Sequence, residues 1–257
     1  MKILVSVFNN LYTDQRVEKF CKTLHENAYQ IEVIGNNWGG NPEMKRPYPF
    51  SRISLQSKKL RFAYLEFQWK LFLVLLKKAD RNTILHANDL DALLPNYLVS
   101  KIKGIPLVWD SHEIFTEMPT VTNRWVQHVW RLLENALIRQ IKYFITANDS
   151  YANWFVANYK IKRPIVIRNF PQKSESPKSF VENNPKVILY QGTINYSRGI
   201  DKMIEAMQFI ENAEFHILGR GPFLEEYQQL TKNLHLENKV KFLGNLHPDA
   251  LRKITEK

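Results

Sequence analysis

The run DSHEIFTEMP sets His112 and Glu113 directly after Asp110 and Ser111. A histidine beside a carboxylate suits acid–base work or the holding of sugar hydroxyls, although a lone histidine at a strand end is more often a structural hydrogen bonder. A second group lies in YQGTINYSRGIDKMIEA. There Gly192 would let backbone approach a ligand, while Arg198, Gly199 and the amides opening the next helix would offer positive charge to phosphate oxygens. The same stretch also reads as a tight turn beside a solvated arginine. Gly219, Arg220 and Gly221 in ILGRGP form a weaker glycine pair of the same kind, more often a turn than a site. Asp14 and Asp89 stand at expected helix starts, with Arg16 close to the first, so the two acids are placed either to cap or to meet a ligand.

Several chemistries are disfavoured by what is missing. The first turn, NNLYTDQR, lacks G-x-G-x-x-G, and the second strand ends at Ile34 and Gly35 without an acid for a ribose, which argues against a dinucleotide oxidoreductase. No G-x-x-x-x-G-K-[ST] occurs, which argues against a P-loop ATPase. Cys21 is the single cysteine and no Cys/His cluster has ligand spacing, so neither disulfide nor metal site is expected and the cytosol is the default compartment. The net charge of +11 favours anionic partners, whether phosphates, nucleic acid or an acidic membrane surface. Charge alone does not choose among them, and a nucleic-acid partner has no other support.

Those polar groups need strands and helices to position them, and the hydrophobic pattern supplies both in alternation, which implies parallel sheets. Strands are expected near Ile3–Phe8, Gln30–Ile34, Ile53–Leu55, Thr83–His86, Pro106–Trp109, Tyr143–Ala147 and Ile165–Arg168. Helices are expected near Asp14–Asn27, Leu60–Ala79, Asp91–Lys103, Arg124–Lys142 and Ser150–Tyr159. The stretch 171–185, rich in Pro, Ser and Asn, reads as a linker between a first domain, 1–170, and a second, 186–257. In the second domain strands Lys186–Gln191, Glu214–Leu218 and Val240–Leu243 alternate with helices Ile200–Ile210 and Phe223–Asn233, and another helix opens at Pro248. The aromatic and basic segment KKLRFAYLEFQWKLFLVLLKK at 58–78 fits a crossover helix packed on the sheet, or one lying on an anionic membrane.

Six segments in this order resemble the retaining glycosyltransferases of family four: DQRVEKFCKTL, WDSHEIFTEMP, IRNFP, YQGTINYSRGIDKMIEAM, ILGRGP and VKFLGNLHPDAL. The resemblance implies the GT-B architecture of two Rossmann-like domains, with a nucleoside diphosphate sugar bound mainly by the second and the acceptor by the first. It implies donor-binding roles for Gly192, Thr193, Arg198, Gly199, Gly219, Arg220 and Gly221, catalytic roles for His112 and Glu113, and acceptor contacts at Asp14, Arg16 and Asp89. It implies a glycan or lipid-linked acceptor in cell-surface polysaccharide or glycolipid synthesis, no cofactor beyond the donor, and a cytoplasmic enzyme, peripheral on the inner membrane face. Relatives often carry arginine where Thr193 stands and histidine where Asn88 stands. The family's paired glutamates are expected beyond Lys257, so the second domain is expected to be incomplete. The alternatives are a non-catalytic binding fragment and a GT-B sugar-nucleotide epimerase, although the latter's Gly-Thr-Arg-Pro turn is missing from VFNNLYTDQR.

Overall fold

The run KILVS at Lys2–Ser6 forms a strand, β1, whose residues past Lys2 are all buried, as a strand covered on both faces requires. In the computed structural model, which describes residues 1–9, 11–12, 14–38, 40, 43–170 and 184–244, β1 lies within a seven-stranded sheet. Its neighbours are β2 (Gln30–Asn36), β3 (Phe50–Ile53), β4 (Thr83–Asn88), β5 (Leu107–Ser111), β6 (Tyr143–Thr146) and β7 (Ile165–Val166), in the order β3-β2-β1-β4-β5-β6-β7. Every pairing is parallel. The order reverses between β1 and β4, and at such a switch point the loops leaving the carboxyl ends of the strands diverge and open a crevice.

Alternation along β1 divides the core. Ile3 and Val5 point to one face, where helix α1 (Gln15–Glu26) covers them with Val17 and Cys21. Leu4 points to the other face, which is covered by α2 (Leu60–Lys78), α3 (Leu93–Lys103), α4 (Trp125–Ile138) and α5 (Asp149–Tyr159) through a core that includes Phe67, Leu71, Trp109 and Phe155. Trp109 stacks on Phe144 at 4.3 Å, which fixes β5 just before its polar end.

Several boundaries depart from expectation, and three of them in the first sheet's layers have a clear local reason. β3 pairs earlier than Ile53–Leu55, because Val33 already bonds to Pro49 and the Leu55 N–H is taken by Asn37 Oδ1. The helix expected from Asp91 begins as a 3-10 turn over Leu90–Ala92, since Asp89 turns the chain back towards β5. α4 stops at Ile138 instead of Lys142, where tight bonds from Gln140 to Leu137 and from Ile141 to Ile138 redirect the chain into β6.

The chain divides into two units, Met1–Pro171 and Gln172–Lys257. The second has a parallel sheet ordered β10-β9-β8, from β8 (Lys186–Gln191), β9 (Ala213–Leu218) and β10 (Val240–Gly244). Helices α6 (Ile200–Ala206) and α7 (Leu224–Asn233) join them around Ile194, Ile204, Phe215, Ile217 and Tyr227. α6 is shorter than the expected Ile200–Ile210 because the chain turns at Met207 and Phe209. The expected linker to residue 183 and the helix expected from Pro248 lie outside the described residues.

Candidate functional site

Asp110, the next-to-last residue of β5, faces the α1 side of the sheet beside His86 of β4 and is 1% exposed. A carboxylate so buried must be paired. Arg16, in the first turn of α1, supplies one partner, with Nη2 at 2.8 and 3.1 Å from the two carboxylate oxygens, while its Nη1 holds Ile167 O at 2.8 Å. His112 supplies the other, its Nε2 standing 3.3 Å from Asp110 Oδ2 in an ion-pair contact. The opposite ring nitrogen, Nδ1, lies 3.4 Å from Asp89 Oδ2, and the His112 backbone N–H donates to Asp89 Oδ1 at 2.8 Å. Two acids and two cations thus interlock at the switch point.

Asp89 is held in a rare conformation, φ 57° and ψ 176°, a region open in practice only to glycine and costing other residues about 1–3 kcal/mol. Its N–H donates to Asp110 O at 2.9 Å and its carboxylate receives His112, so two anchors maintain the strain. Strain kept against local preference, at the rim of a switch point, marks a place where side-chain position matters.

Electrostatics follow from this packing. Burial disfavours an imidazolium at position 112, but Asp89 and Asp110 outweigh it and raise His112 to about 9. Burial alone would raise Asp110; the His112 and Arg16 cations bring it down to about 2. Asp89 moves the other way, lifted by burial to about 6 in spite of His112. Asp91 is pushed well above the usual carboxylate range by burial and by Asp89, and burial takes His86 down to about 4. At neutral pH the cluster therefore holds Arg16 and His112 as cations facing Asp110 and Asp89 as anions, with His86 neutral.

The candidates separate clearly. Arg16, Asp89 and His112 come together, and Asp110, which was not singled out, lies at their centre. An aspartate closing the apolar run Leu107–Trp109 was its signal. Glu113 is exposed, and its carbonyl accepts the Ser111 hydroxyl at 2.8 Å. Asp14 caps α1, accepting from Val17 N at 2.9 Å and from Asn9 Nδ2 at 2.9 Å. Asn88 is buried and donates to Ser6 O, a structural role within the sheet. Among the described residues no group of three His, Cys, Asp or Glu side chains could hold a metal ion.

In the second unit the loop leaving β8 runs alongside the loop leaving β9. Gly192 N–H donates to Leu218 O at 2.9 Å and Ile194 N–H to Arg220 O at 3.0 Å, extending the ladder beyond the strands. A Cβ at Gly219 would stand 1.8 Å from Gly192 O, and one at Gly221 would stand 2.0 Å from Ile194 O. Close backbone approach between the two loops therefore demands both glycines. The intervening Thr193 and Asn195 N–H groups have no partner among the described residues, and Thr193 O accepts the Tyr190 hydroxyl at 2.8 Å. Arg198 is exposed, without hydrogen bond or ion pair among the described residues, and Gly199 at φ 73° opens α6. The Arg220 side chain is likewise exposed.

Residues 14–170 match the sequence family described as Glycosyltransferase Family 4, and residues 171–257 match Glycosyl transferases group 1. An uncharacterized glycosyltransferase of Methanocaldococcus jannaschii, MJ1607, is 35% identical over 77 residues, which make up 29% of this chain and 20% of that protein. This chain thus aligns with about a fifth of that relative's length. Sucrose-phosphate synthase from Thermosynechococcus elongatus superposes with TM-score 0.75 at 12% identity, covering 100% of this chain and 73% of that one. HepE of Anabaena, solved with UDP and glucose, gives 0.68 at 20% identity, covering 100% and 72%. WaaG, a glycosyltransferase of lipopolysaccharide biosynthesis, gives 0.66 at 13% identity, covering 97% and 71%. The shared fold is GT-B, built from two Rossmann-like units.

Proposed function

The chain belongs to glycosyltransferase family 4, and on that premise we propose that it transfers a sugar, with retention, from a nucleoside diphosphate sugar to a glycan or lipid-linked acceptor. The second unit takes the donor. Arg198 and the unpartnered amides of Thr193 and Asn195 meet the diphosphate, and the bound UDP of HepE supports a nucleotide ligand for this fold. The first unit takes the acceptor, with Asp89 at its rim accepting a hydroxyl hydrogen. Both His112 nitrogens face carboxylates, so His112 acts as a buried positive charge that keeps Asp89 ionised and aimed. Arg16 and Asp110 hold that charge in place. In the reaction the bond from the anomeric carbon to the diphosphate oxygen breaks, and the acceptor oxygen bonds to the same face. The acceptor proton passes to the departing phosphate oxygen, and the nucleoside diphosphate leaves.

The observation that carries this reading is the strained Asp89, locked between His112 and Asp110 at the switch point of a chain in this family. The inner face of a cytoplasmic membrane, in the synthesis of surface polysaccharide or glycolipid, is the setting that suits such an acceptor. Calorimetry with UDP, GDP and ADP tests the donor half. Binding of one nucleotide that weakens about tenfold or more in Arg198→Ala, with unfolding unchanged, supports the assignment. No affinity for any of the three, or equal affinity in the variant, refutes it.

A further inference from the structure

A polar stripe runs along the inward face of α4. Gln127, Arg131 and Glu134 follow one another at spacings of four and three residues, so all three share that face with Trp130. Apolar residues are the ordinary lining of such a face. Here the three polar side chains instead reach one short segment, the 3-10 turn Phe115–Glu117. Gln127 Nε2 donates to Thr116 O at 2.8 Å, Arg131 Nη2 donates to Glu117 Oε1 at 2.7 Å, and Glu134 Oε2 accepts the Thr116 hydroxyl at 3.3 Å. The Phe115 ring packs edge-on against Trp130 at 5.0 Å.

Glu134 is the member that packing does not explain. It is fully buried, its Oε2 also accepts the Tyr159 hydroxyl, and its Oε1 has no hydrogen bond among the described residues. A carboxyl group taken out of water with one oxygen idle loses hydration that it does not recover, and an apolar side chain of that size would pack as well or better. The turn that it holds lies close beyond β5. That strand ends at Ser111, whose carbonyl accepts the Thr146 hydroxyl at 3.0 Å. Only His112, Glu113 and Ile114 therefore separate two anchored points, and the Ser111 hydroxyl on Glu113 O tightens the span from within. His112 needs such restraint, because its two ring nitrogens meet Asp89 and Asp110 at 3.4 and 3.3 Å at the same time.

We infer that the Gln127–Arg131–Glu134 stripe is the positioning device of His112: by pinning the Phe115–Glu117 turn to α4, it sets the imidazole between Asp89 and Asp110. Among the described residues no hydrogen bond or ion pair joins any of the three to His112, Asp89 or Asp110, so they act through the turn. What this placement does for sugar transfer rests on the reading above; the placement itself does not.

The titration of His112, followed by NMR on the full chain with no nucleotide present, tests the assignment. In Glu134→Leu, and separately in Gln127→Ala combined with Arg131→Ala, the midpoint should fall from about 9 towards 6.5 by about one pH unit or more, a tenfold change in proton affinity. Glu134→Gln keeps an acceptor for the Thr116 hydroxyl without the charge and should hold the parent midpoint. Val129→Ala, on the exposed side of the same helix, should hold it as well. If Glu134→Leu does not fold, the Gln127/Arg131 variant decides alone. A parent-like midpoint in the folded variants that release the turn overturns the inference. So does a fall in Glu134→Gln as large as in Glu134→Leu, which would assign the effect to charge at position 134. Nucleotide affinity of the parent is read separately, and its absence counts against sugar transfer while leaving the titration result standing.

Discussion

Replacing Asp110 by asparagine keeps the shape of the buried centre and removes its charge. Asp110 and Arg16 have side chains 2% and 12% exposed, so their pairing belongs with buried ion pairs, in which loss of one partner costs about 3–5 kcal/mol. Asparagine still offers Arg16 one acceptor, which places the loss near the lower end, at about 3 kcal/mol. For a urea dependence of about 2 kcal/mol per M, the unfolding midpoint falls by about 1.5 M. All six tryptophans lie in the first unit, so tryptophan fluorescence follows that unit alone. The second readout is the His112 ring, which loses one of its two facing carboxylates and should titrate below about 9 when followed by NMR. A midpoint within about 0.3 M of the parent, a difference of roughly 0.6 kcal/mol, with unchanged His112 titration, would refute the claim that Asp110 organises the cluster.

The same cluster predicts a pH window. His112 is raised from 6.5 to about 9, so its contribution is complete below about pH 6.5 and is lost as pH rises towards 9; urea midpoints across that range should fall in the parent and stay level in His112→Gln. Asp110, lowered to about 2, contributes above about pH 4 and loses that contribution only as pH falls through 2, so acid unfolding should set in earlier for Asp110→Asn. In the second unit, Gly219→Ala and Gly221→Ala force a methyl into Gly192 O and Ile194 O, and hydrogen exchange across β8 and β9 should accelerate by orders of magnitude. Gly104→Ala has open space at φ 65° and should cost only about 1–2 kcal/mol in a urea titration, from the left-handed backbone alone.

Much of this molecule could be read from its residues because periodicity and burial agree. Ile3–Val5, Val33–Ile34 and Ile84–Leu85 are short apolar runs within these strands, and both faces of their sheet are covered as that pattern demands. Arg16, Asp89 and His112 could be nominated because each follows a strand or opens a helix at the ligand-bearing edge. Their mutual arrangement could not, since the link among them is Asp110, whose burial depends on packing between β4, β5 and α1. Glu113 was nominated by its adjacency to His112, which says nothing of side-chain direction once a strand has ended. The glycine pairs were visible as glycines. Only the spacing between two loops distant in sequence reveals that Gly219 and Gly221 are required by neighbouring carbonyl oxygens.

The backbone at Asp89 bears on how this site persists. Glycine alone would rest there without strain, so each generation that keeps an aspartate keeps a residue the local chain would rather discard. Glycine at position 89 would relieve the backbone but would also take away the acceptor of the His112 N–H and one of the two carboxylates facing its ring, so strain and charge pairing are set against each other within one residue.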